Sequence, residues 1–530
     1  MDLEAVRATA SAWLAAEPDD DMRAELQALL EGTADELVER FSGHLTFGTA
    51  GLRAAVGAGP LRMNRLVGRQ AAAGLAAFVA ATDDRATERG IVIGYDLRRK
   101  SDLIALDTAR VVAASGLAAR LLPTPLPTPV LAWALLDLDA AAGVMVTASH
   151  NPPQDNGYKV YLGDGPQIVS PRDVEIAGRI AEFDPPSVQL AESDDPLIDR
   201  LDYTVVDRYV ASMGDVRLRG EVPGVLVAYT PMHGVAGETL LRAFEAAALP
   251  APVAVETQFR PDPAFPTVAF PNPEEPGAMD LVIALARDAG AALALANDPD
   301  GDRLGAAIPQ PDGSWRRLGG DEIGWLLADH ILKHTAGDNR LVVTTLVSSS
   351  LLAKMAADYG VQFAETFTGF KWMGRTILEH PELRCVFAYE QALGYLVAPR
   401  PLDKDGISAA VMLAEIASVA ADEGTTLQGR LDDLAARYGR HVVAERAVQM
   451  DPALAAERVR SLLDDPPDQL AGAAVSKVAA FPEADLLRLV LEGGVRVQVR
   501  PSGTEPKVKL YGEAVDADPA PYLDALASRF

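Results

Sequence analysis

Short apolar runs recur along this chain, and each leads into a polar turn or a stretch with helical periodicity. Five of them share this pattern: Ile91–Tyr95, Ala141–Val146, Val225–Tyr229, Ala291–Ala296 and Arg340–Leu346. Runs of four to eight apolar residues are typical of buried strands. Strands that alternate with helices indicate α/β domains with largely parallel or mixed sheets.

The length of 530 residues predicts several domains, since one domain usually takes about 150 residues. We expect a helical N-terminal extension and a first α/β unit in residues 1–205, and a second α/β unit in 206–317. A third α/β unit is expected in 318–438, and a smaller α+β unit in 439–530. The Asp-, Pro- and Ser-rich stretch from Phe183 to Asp199 predicts a linker.

The charge balance excludes some classes of partner. The net charge of −27 argues against nucleic acids and anionic membranes, because both require a basic surface. The single cysteine, Cys385, fits a reducing compartment. The N-terminus has no basic, apolar leader, and no apolar run reaches the ~18 residues of a membrane span. We therefore expect a soluble, cytoplasmic protein.

The apolar run ending at Val146 leads into Thr147-Ala-Ser149-His150-Asn151-Pro152. A residue before proline is biased away from the helical region, so Ser149 should lie on a sharp turn at the end of a strand. On such a turn its hydroxyl would face a cleft. A hydrolase serine usually lies in a Gly-x-Ser-x-Gly elbow, which is absent here. Ser149 and His150 are also expected to point apart, because neighbouring side chains on an extended backbone do so.

A second polar turn, Asp298-Pro-Asp300-Gly-Asp302-Arg303, follows the run Ala291–Ala296. Its three carboxylates can converge on one hard cation, and oxygen ligands beside a phosphate suggest Mg²⁺. A Ca²⁺ helix–loop–helix site is excluded, since Arg303 and Pro309 occupy positions that require glycine and glutamate. A serine beside a cation is suited to carrying a phosphoryl group.

Cations and glycines occur together in three further segments. Arg53 follows Phe47-Gly-Thr-Ala-Gly on a predicted loop, and Lys371 follows Thr368-Gly369-Phe370. Arg500-Pro-Ser502-Gly503-Thr504 lies between two predicted strands, where amides and hydroxyls can bind a phosphate. Lysine is rare in this chain, which makes Lys159 and Lys371 candidates for function.

Four segments of the chain together resemble the signature loops of the α-D-phosphohexomutases, in order and spacing. They are Thr147–Pro152, Asp298–Arg303, Glu390–Tyr395 and Arg500–Glu505. The family includes phosphoglucomutases and phosphomannomutases. The resemblance implies three similar α/β domains and a smaller C-terminal domain around a central cleft. It also implies a mutase that interconverts the 1-phosphate and the 6-phosphate of glucose or mannose.

The resemblance assigns roles to individual residues. Ser149 would carry a phosphate and coordinate Mg²⁺ together with Asp298, Asp300 and Asp302. The phosphate would pass to a sugar monophosphate, and a sugar bisphosphate would serve as intermediate and activator. The residues expected around the reacting phosphate are His150, Lys159, Arg53, Arg303 and Lys371, with Lys159 or His150 as the acid/base.

The remaining expected contacts divide between the sugar and its second phosphate. Those to the sugar are Gly369, Lys371, Glu390, Gln391, Gly394 and Tyr395. Those to the phosphate that is not reacting are Arg500, Ser502, Gly503, Thr504 and Lys507.

The chain also departs from the family pattern. Many members have Glu-x-Ser-Gly-His in the sugar loop, whereas this chain has Ala392-Leu393-Gly394-Tyr395 after Gln391. This loop, the helical extension and Phe47–Arg53 are closer to the phosphoglucomutase-2/phosphopentomutase-like branch. A phosphopentomutase acting between positions 1 and 5, a sugar-bisphosphate synthase and a phosphohydrolase using the same serine therefore remain open. A non-catalytic sugar-phosphate binder is disfavoured by the intact serine and aspartates. The protein would be a monomer or a homodimer.

Overall fold

The computed structural model describes residues 3–502 and 506–530. Within these ranges the strands form four separate sheets, one in each of the expected segments. None of the described helices combines the length and the apolar character that a bilayer-spanning helix requires. The expected fold class, three mixed α/β domains and a smaller C-terminal α+β domain, is confirmed.

The first domain begins with three helices and continues with a mixed six-stranded sheet. Its helices are α1 (Leu3–Ala16), α2 (Asp20–Glu31), α3 (Ala34–Phe41), α4 (Arg65–Thr82), α5 (Ala86–Arg89), α6 (Ser101–Ala114), α7 (Thr128–Asp137) and α8 (Arg172–Ile180). Its strands are β1 (Leu52–Ala55), β2 (Ile91–Tyr95), β3 (Ala119–Leu121), β4 (Ala142–Val146), β5 (Asp155–Leu162) and β6 (Ile198–Arg200). The strand order is β1-β5-β4-β2-β3-β6, and β5 is antiparallel to both neighbours.

Two local expectations for this domain were wrong. Arg53 lies in β1 rather than on a loop, because residues 52–55 pair antiparallel with β5. The expected linker is part of the domain: β6 pairs with β3, and Phe183, Val188 and Leu190 pack on apolar side chains of α4 and α6. Its polar composition concealed these few apolar anchors.

The second and third domains repeat the mixed arrangement. The second contains α9 (Thr204–Ala211), α10 (Gly237–Ala246), α11 (Glu256–Phe259), α12 (Asp280–Ala289), β7 (Val227–Thr230), β8 (Val253–Ala254), β9 (Leu293–Asn297), β10 (Leu304–Pro309) and β11 (Trp315–Arg317). The third contains α13 (Gly320–His334), α14 (Leu351–Asp358), α15 (Phe370–Glu379), α16 (Gly406–Asp422), α17 (Leu427–Tyr438), β12 (Arg340–Thr345), β13 (Gln362–Thr366), β14 (Arg384–Glu390) and β15 (Gly394–Leu396). Their strand orders are β11-β10-β9-β7-β8 and β13-β12-β14-β15.

The fourth domain is an antiparallel sheet with two helices. It contains β16 (His441–Gln449), α18 (Pro452–Asp464), β17 (Gln469–Leu470), β18 (Ala473–Phe481), β19 (Leu486–Leu491), β20 (Arg496–Pro501), β21 (Lys507–Val515) and α19 (Ala520–Ala527). The strand order is β16-β21-β20-β19-β18-β17. This domain has its own apolar core, whereas one continuous apolar cluster links the first three domains.

The three α/β domains present their polar loops in the same way. In each, a central strand with a parallel neighbour is followed by an antiparallel partner: β4 by β5, β9 by β10 and β14 by β15. The Ser149 loop, the aspartate loop and the Glu390 loop are the connections between these pairs. Since the carboxyl ends of central strands are where α/β sheets place ligands, this topology brings three loops of distant sequence to one site.

Candidate active site

Ser149 lies on the turn between β4 and β5 with a positive φ of 52°. Its amide donates to Thr147 Oγ1 over 2.9 Å, and its Oγ lies 3.1 Å from Asp298 Oδ2. Contrary to the expected divergence, Oγ also lies 3.2 Å from His150 Nδ1, because the left-handed turn folds the two side chains together. The serine is also less accessible than expected, at 4% exposed, since the aspartate loop of the second domain covers it.

The three aspartates form a compact buried group directly after β9. Asp298, Asp300 and Asp302 are all 0% exposed, and one oxygen from each lies within 4.8 Å of the others. Asp300 Oδ1 and Asp302 Oδ1 are buried without a hydrogen-bond partner. Oxygen-only donors with unsatisfied lone pairs fit a hard cation such as Mg²⁺, which would satisfy both.

Charge is distributed unevenly within this group. Burial raises the pKa of Asp298 well above its usual range, and the charges of Asp300 and Asp302 raise it further. Burial also opposes ionisation of Asp300, but the ammonium of Lys159 and the hydroxyl of Thr128 outweigh it and lower its pKa. Asp300 is therefore held as a carboxylate.

Two lysines from different domains contact the aspartates. Lys159, on β5, places Nζ 2.7 Å from Asp300 Oδ2 and 2.9 Å from Asp302 Oδ2. Lys404, just before α16, places Nζ 3.1 Å from Asp302 Oδ2. Lys404 is not among the predicted site residues, although its Asp403-Lys404-Asp405-Gly406 turn could have indicated a role. That turn can lie against the aspartate loop because residue 406 is a glycine: a Cβ there would lie 2.3 Å from the carbonyl oxygen of Arg303.

The expected phosphate-facing residues of the first two domains lie around Ser149. Arg53 donates to Asn151 Oδ1 over 3.0 Å. The Arg303 amide donates to Asp298 Oδ1 over 3.0 Å, and its guanidinium pairs with Glu274 at 3.2 Å. Burial, followed by the charges of Arg303 and Arg53, lowers the pKa of His150 well below its usual value, so the imidazole is neutral. This cationic surrounding is suited to an anionic group on Ser149.

The sugar loop of the third domain lies against the second domain. Leu304 donates its amide to Leu393, and Arg303 and Gly394 form a β-bridge. Glu390 is buried, and burial raises its pKa despite the nearby charges of Lys404 and Arg303.

Other expected sugar contacts have different surroundings. Gln391 Oε1 accepts from Ser348 Oγ over 3.2 Å. Gly369 precedes α15 with a φ of 110°, and Lys371 on that helix reaches Thr49 Oγ1 at 2.5 Å. Tyr395 is 0% exposed, and its hydroxyl donates to the carbonyl of Gly320. The phenol of Tyr395 is thus hydrogen-bonded inside the third domain, and its expected contact with the sugar stays a prediction.

The predicted phosphate loop of the fourth domain connects β20 and β21. Arg500 lies in β20 and Lys507 in β21, and the Ser502 amide donates to the carbonyl of Lys507 over 2.9 Å. Gly503 and Thr504 lie outside the described residues. Arg500 Nε is buried without a hydrogen-bond partner.

A cavity of about 180 Å³ lies between the third and fourth domains. Gln391 from the sugar loop lines it together with Glu274, Glu445 and Tyr511. Burial raises the pKa of the Glu445 carboxyl, and the nearby charge of Arg500 partly offsets this rise. The fourth domain thus faces the sugar loop across a polar cavity, so the site draws on all four domains.

Four family models match the chain in order. They are the phosphoglucomutase/phosphomannomutase α/β/α domain I at residues 44–186, domain II at 207–313, domain III at 319–438 and the C-terminal domain at 454–525. Together they cover most of the sequence.

Individual proteins resemble the chain over nearly their whole length. A Haemophilus influenzae protein described as a probable phosphomannomutase is 42% identical over 467 residues, covering 86% of this chain and 94% of that protein. A mouse phosphopentomutase is 35% identical, covering 92% and 86% respectively. The solved structure of a phosphoglucomutase/phosphomannomutase family protein from Burkholderia thailandensis shares the fold, with a TM-score of 0.72 at 22% identity, covering 91% of this chain and 96% of that one. The chain therefore belongs to the phosphoglucomutase/phosphomannomutase family of phosphosugar mutases.

Proposed function

We propose that this mutase interconverts the 1-phosphate and 6-phosphate of glucose, mannose or both, through a phosphate carried by Ser149. The observation that supports this most directly is the position of Ser149 Oγ, 3.1 Å from Asp298 in a buried group of three aspartates. A serine that transfers phosphate needs its oxygen beside a metal cation and among positive side chains. The three carboxylates beside Ser149 could hold that cation, and Arg53 and Arg303 supply positive charge nearby.

The proposed reaction has two transfers. In the first, the bond between phosphorus and Ser149 Oγ breaks, a bond forms to the free hydroxyl of a sugar monophosphate, and the hydroxyl proton passes to a base. In the second, the other phosphate of the resulting bisphosphate returns to Ser149, and a proton returns to the sugar oxygen it leaves. Lys159 and the neutral His150 are the candidate groups for proton movement.

Mg²⁺ is the proposed metal, held by Asp298, Asp300 and Asp302 and by the group on Ser149. It would neutralise charge that develops on the transferred phosphate. Glu390 would accept hydrogen bonds from sugar hydroxyls, while Arg500, Ser502, Lys507 and the undescribed Gly503 and Thr504 would hold the second phosphate. A sugar bisphosphate is the proposed activator, because it can restore the phosphate on Ser149 when an intermediate escapes.

A first experiment tests the covalent step. Intact-mass measurement of the purified protein should show about one phosphate per chain, and Ser149→Ala should remove both that phosphate and turnover. Full activity of unphosphorylated protein without a bisphosphate primer would contradict the proposal. Phosphate release from glucose 1-phosphate in excess of isomer formation would favour the phosphohydrolase instead.

A phosphopentomutase is the second candidate, favoured by the Ala392–Tyr395 departure and by the 35% identity to the mouse enzyme. A panel of glucose, mannose, ribose and deoxyribose 1-phosphates decides between them. A kcat/KM at least tenfold higher for the pentose phosphates would establish the second candidate. We further propose that the protein is cytoplasmic and is a monomer or a homodimer. Light scattering of the purified protein would distinguish the monomer from the homodimer.

A further inference from the structure

The segment after β2, Asp96-Leu-Arg98-Arg99-Lys100-Ser101, has no part in the proposed chemistry, yet Arg98 is only 2% exposed. Its guanidinium donates to four backbone carbonyls of the serine loop. Nη2 reaches Ser149 O and Asn151 O at 2.5 Å each, and Nη1 reaches Pro152 O at 2.8 Å and Asp155 O at 3.1 Å. One side chain thus determines the course of the loop from Ser149 to the start of β5.

Asp96 supports the same loop from its other end. It accepts hydrogen bonds from Thr147 Oγ1 at 2.7 Å and Ser101 Oγ at 2.7 Å, and it pairs with Arg98 at 3.4 Å. Thr147 Oγ1 in turn accepts the amide hydrogen of Ser149 over 2.9 Å. Both peptide groups of Ser149 are therefore held: its amide through Thr147 and its carbonyl by Arg98.

Arg98 also contacts the second domain. Its guanidinium carbon lies 5.1 Å from the centre of the Phe265 ring, and Phe265 is buried on the loop between α11 and α12. A cation over the face of an aromatic ring is attracted by the ring's quadrupole, and more strongly where water is excluded. The contact links the serine loop to the domain that carries the aspartates.

We propose that Arg98 is a positioning residue for phosphoryl transfer, which holds Ser149 in its left-handed turn with Oγ against the aspartates. A φ of 52° is unfavourable for a residue with a Cβ, so the turn at Ser149 persists only if its surroundings fix it. The planar guanidinium has five donors that can reach four diverging carbonyls, whereas the ammonium of lysine has three donors on one atom. The inference rests on the proposed phosphoserine chemistry.

The experiment compares Arg98→Lys with a matched control, Arg340→Lys. Arg340 is also a buried arginine that donates to four backbone carbonyls, those of Gly337, Leu332, Thr335 and Tyr359, but it lies in the third domain. Both variants should lose thermal stability to a similar degree. Only Arg98→Lys should lose kcat, by about 10²-fold, with KM within roughly twofold of wild type, because a misplaced reacting atom costs rate rather than binding.

Single-turnover transfer from the phosphorylated protein to glucose 1-phosphate separates the two hypotheses. If wild-type protein carries no phosphoserine, the proposed function fails. If wild-type protein does carry phosphoserine, two results would overturn the positioning role: transfer by Arg98→Lys at the wild-type rate, or an equal loss of kcat in Arg340→Lys.

Should Arg98→Lys not fold, Phe265→Leu takes its place, since it keeps the four hydrogen bonds from Arg98 to the backbone carbonyls. It should lower kcat roughly threefold or more at unchanged KM, and an unchanged kcat would contradict the proposal.

Discussion

The ammonium of Lys159 lies 2.7 Å from Oδ2 of Asp300, although 141 residues separate them in sequence. Lys159 lies on β5, which runs antiparallel to β4 after the serine loop, and Asp300 lies on the turn after β9. Both side chains are buried. The pair therefore ties the first domain to the second at the proposed active site.

Replacing Lys159 by methionine should destabilise the protein most when no metal is available. The loss of one partner leaves buried carboxylates uncompensated, which costs about 3–5 kcal/mol. Mg²⁺ should restore part of this, because it supplies the missing positive charge. Thermal unfolding in EDTA and in Mg²⁺ measures the difference. Lys100→Met is the control: Lys100 also pairs with two aspartates, Asp19 and Asp21, and its loss should be insensitive to Mg²⁺.

Substrate binding should weaken above about pH 8 through Lys371. Burial lowers the pKa of this ammonium to about 8, so its charge is present below that pH and is lost above it. KM for a sugar phosphate should therefore rise between roughly pH 7 and pH 9. Lys371→Arg, whose charge persists, should remove the rise. An identical pH profile in wild type and variant would show that Lys371 does not contact the anionic substrate.

Asp321 should make the protein less stable as pH rises. Burial raises its pKa to about 7, although the Ser349 amide and the Tyr389 hydroxyl donate to it. A raised folded-state pKa contributes stability that is complete below about pH 4 and is lost as pH rises through about 7. Of the two neighbouring charges, Glu513 raises the pKa of Asp321 and Arg496 lowers it, so they oppose each other.

Asp321→Asn keeps the acceptor oxygen but cannot ionise. The Tm of this variant relative to wild type should increase steadily from about pH 4 to about pH 7 and then level off. A constant difference across this range would mean that Asp321 keeps an ordinary pKa.

Removal of Glu513 should loosen the fourth domain. Its carboxylate accepts from Ser349 Oγ at 2.5 Å and pairs with His441 at 2.7 Å and Arg496 at 2.7 Å, so it joins β21 to the third domain. Glu513→Ala should cost about 3–5 kcal/mol and speed protease cleavage between the two domains, near residue 439. Asp524→Ala removes an exposed pair with Arg446 in the same domain and should cost at most about 1 kcal/mol.

The local sequence predicted the strands and turns that carry the candidate site. The apolar runs before Ser149 and Asp298 form buried strands, and Asn151-Pro152 does mark a sharp turn. Their hydrophobic pattern and turn residues act over a few positions, so they are visible in sequence. The linker at Phe183–Asp199 was misjudged because its anchors are isolated apolar residues in a polar stretch.

Contacts between residues far apart in sequence could not be predicted from spacing. Nothing in the order of residues indicates that Lys404 reaches Asp302, that Tyr395 turns to Gly320, or that Arg98 gathers four carbonyls. Each depends on how two strands or two domains are placed relative to each other. The adjacent Ser149 and His150 also met only because the backbone took a left-handed turn.

By itself the sequence determined the α/β class and the strand-end loops, because apolar periodicity and turn chemistry are local properties. The proposed reactive groups came from the resemblance of those loops to the signature loops of a family. Only the tertiary structure decided that the serine is buried against the aspartates and which cations neutralise them. Those outcomes follow from packing between domains, where burial strengthens every charge interaction and the partners come from distant parts of the chain.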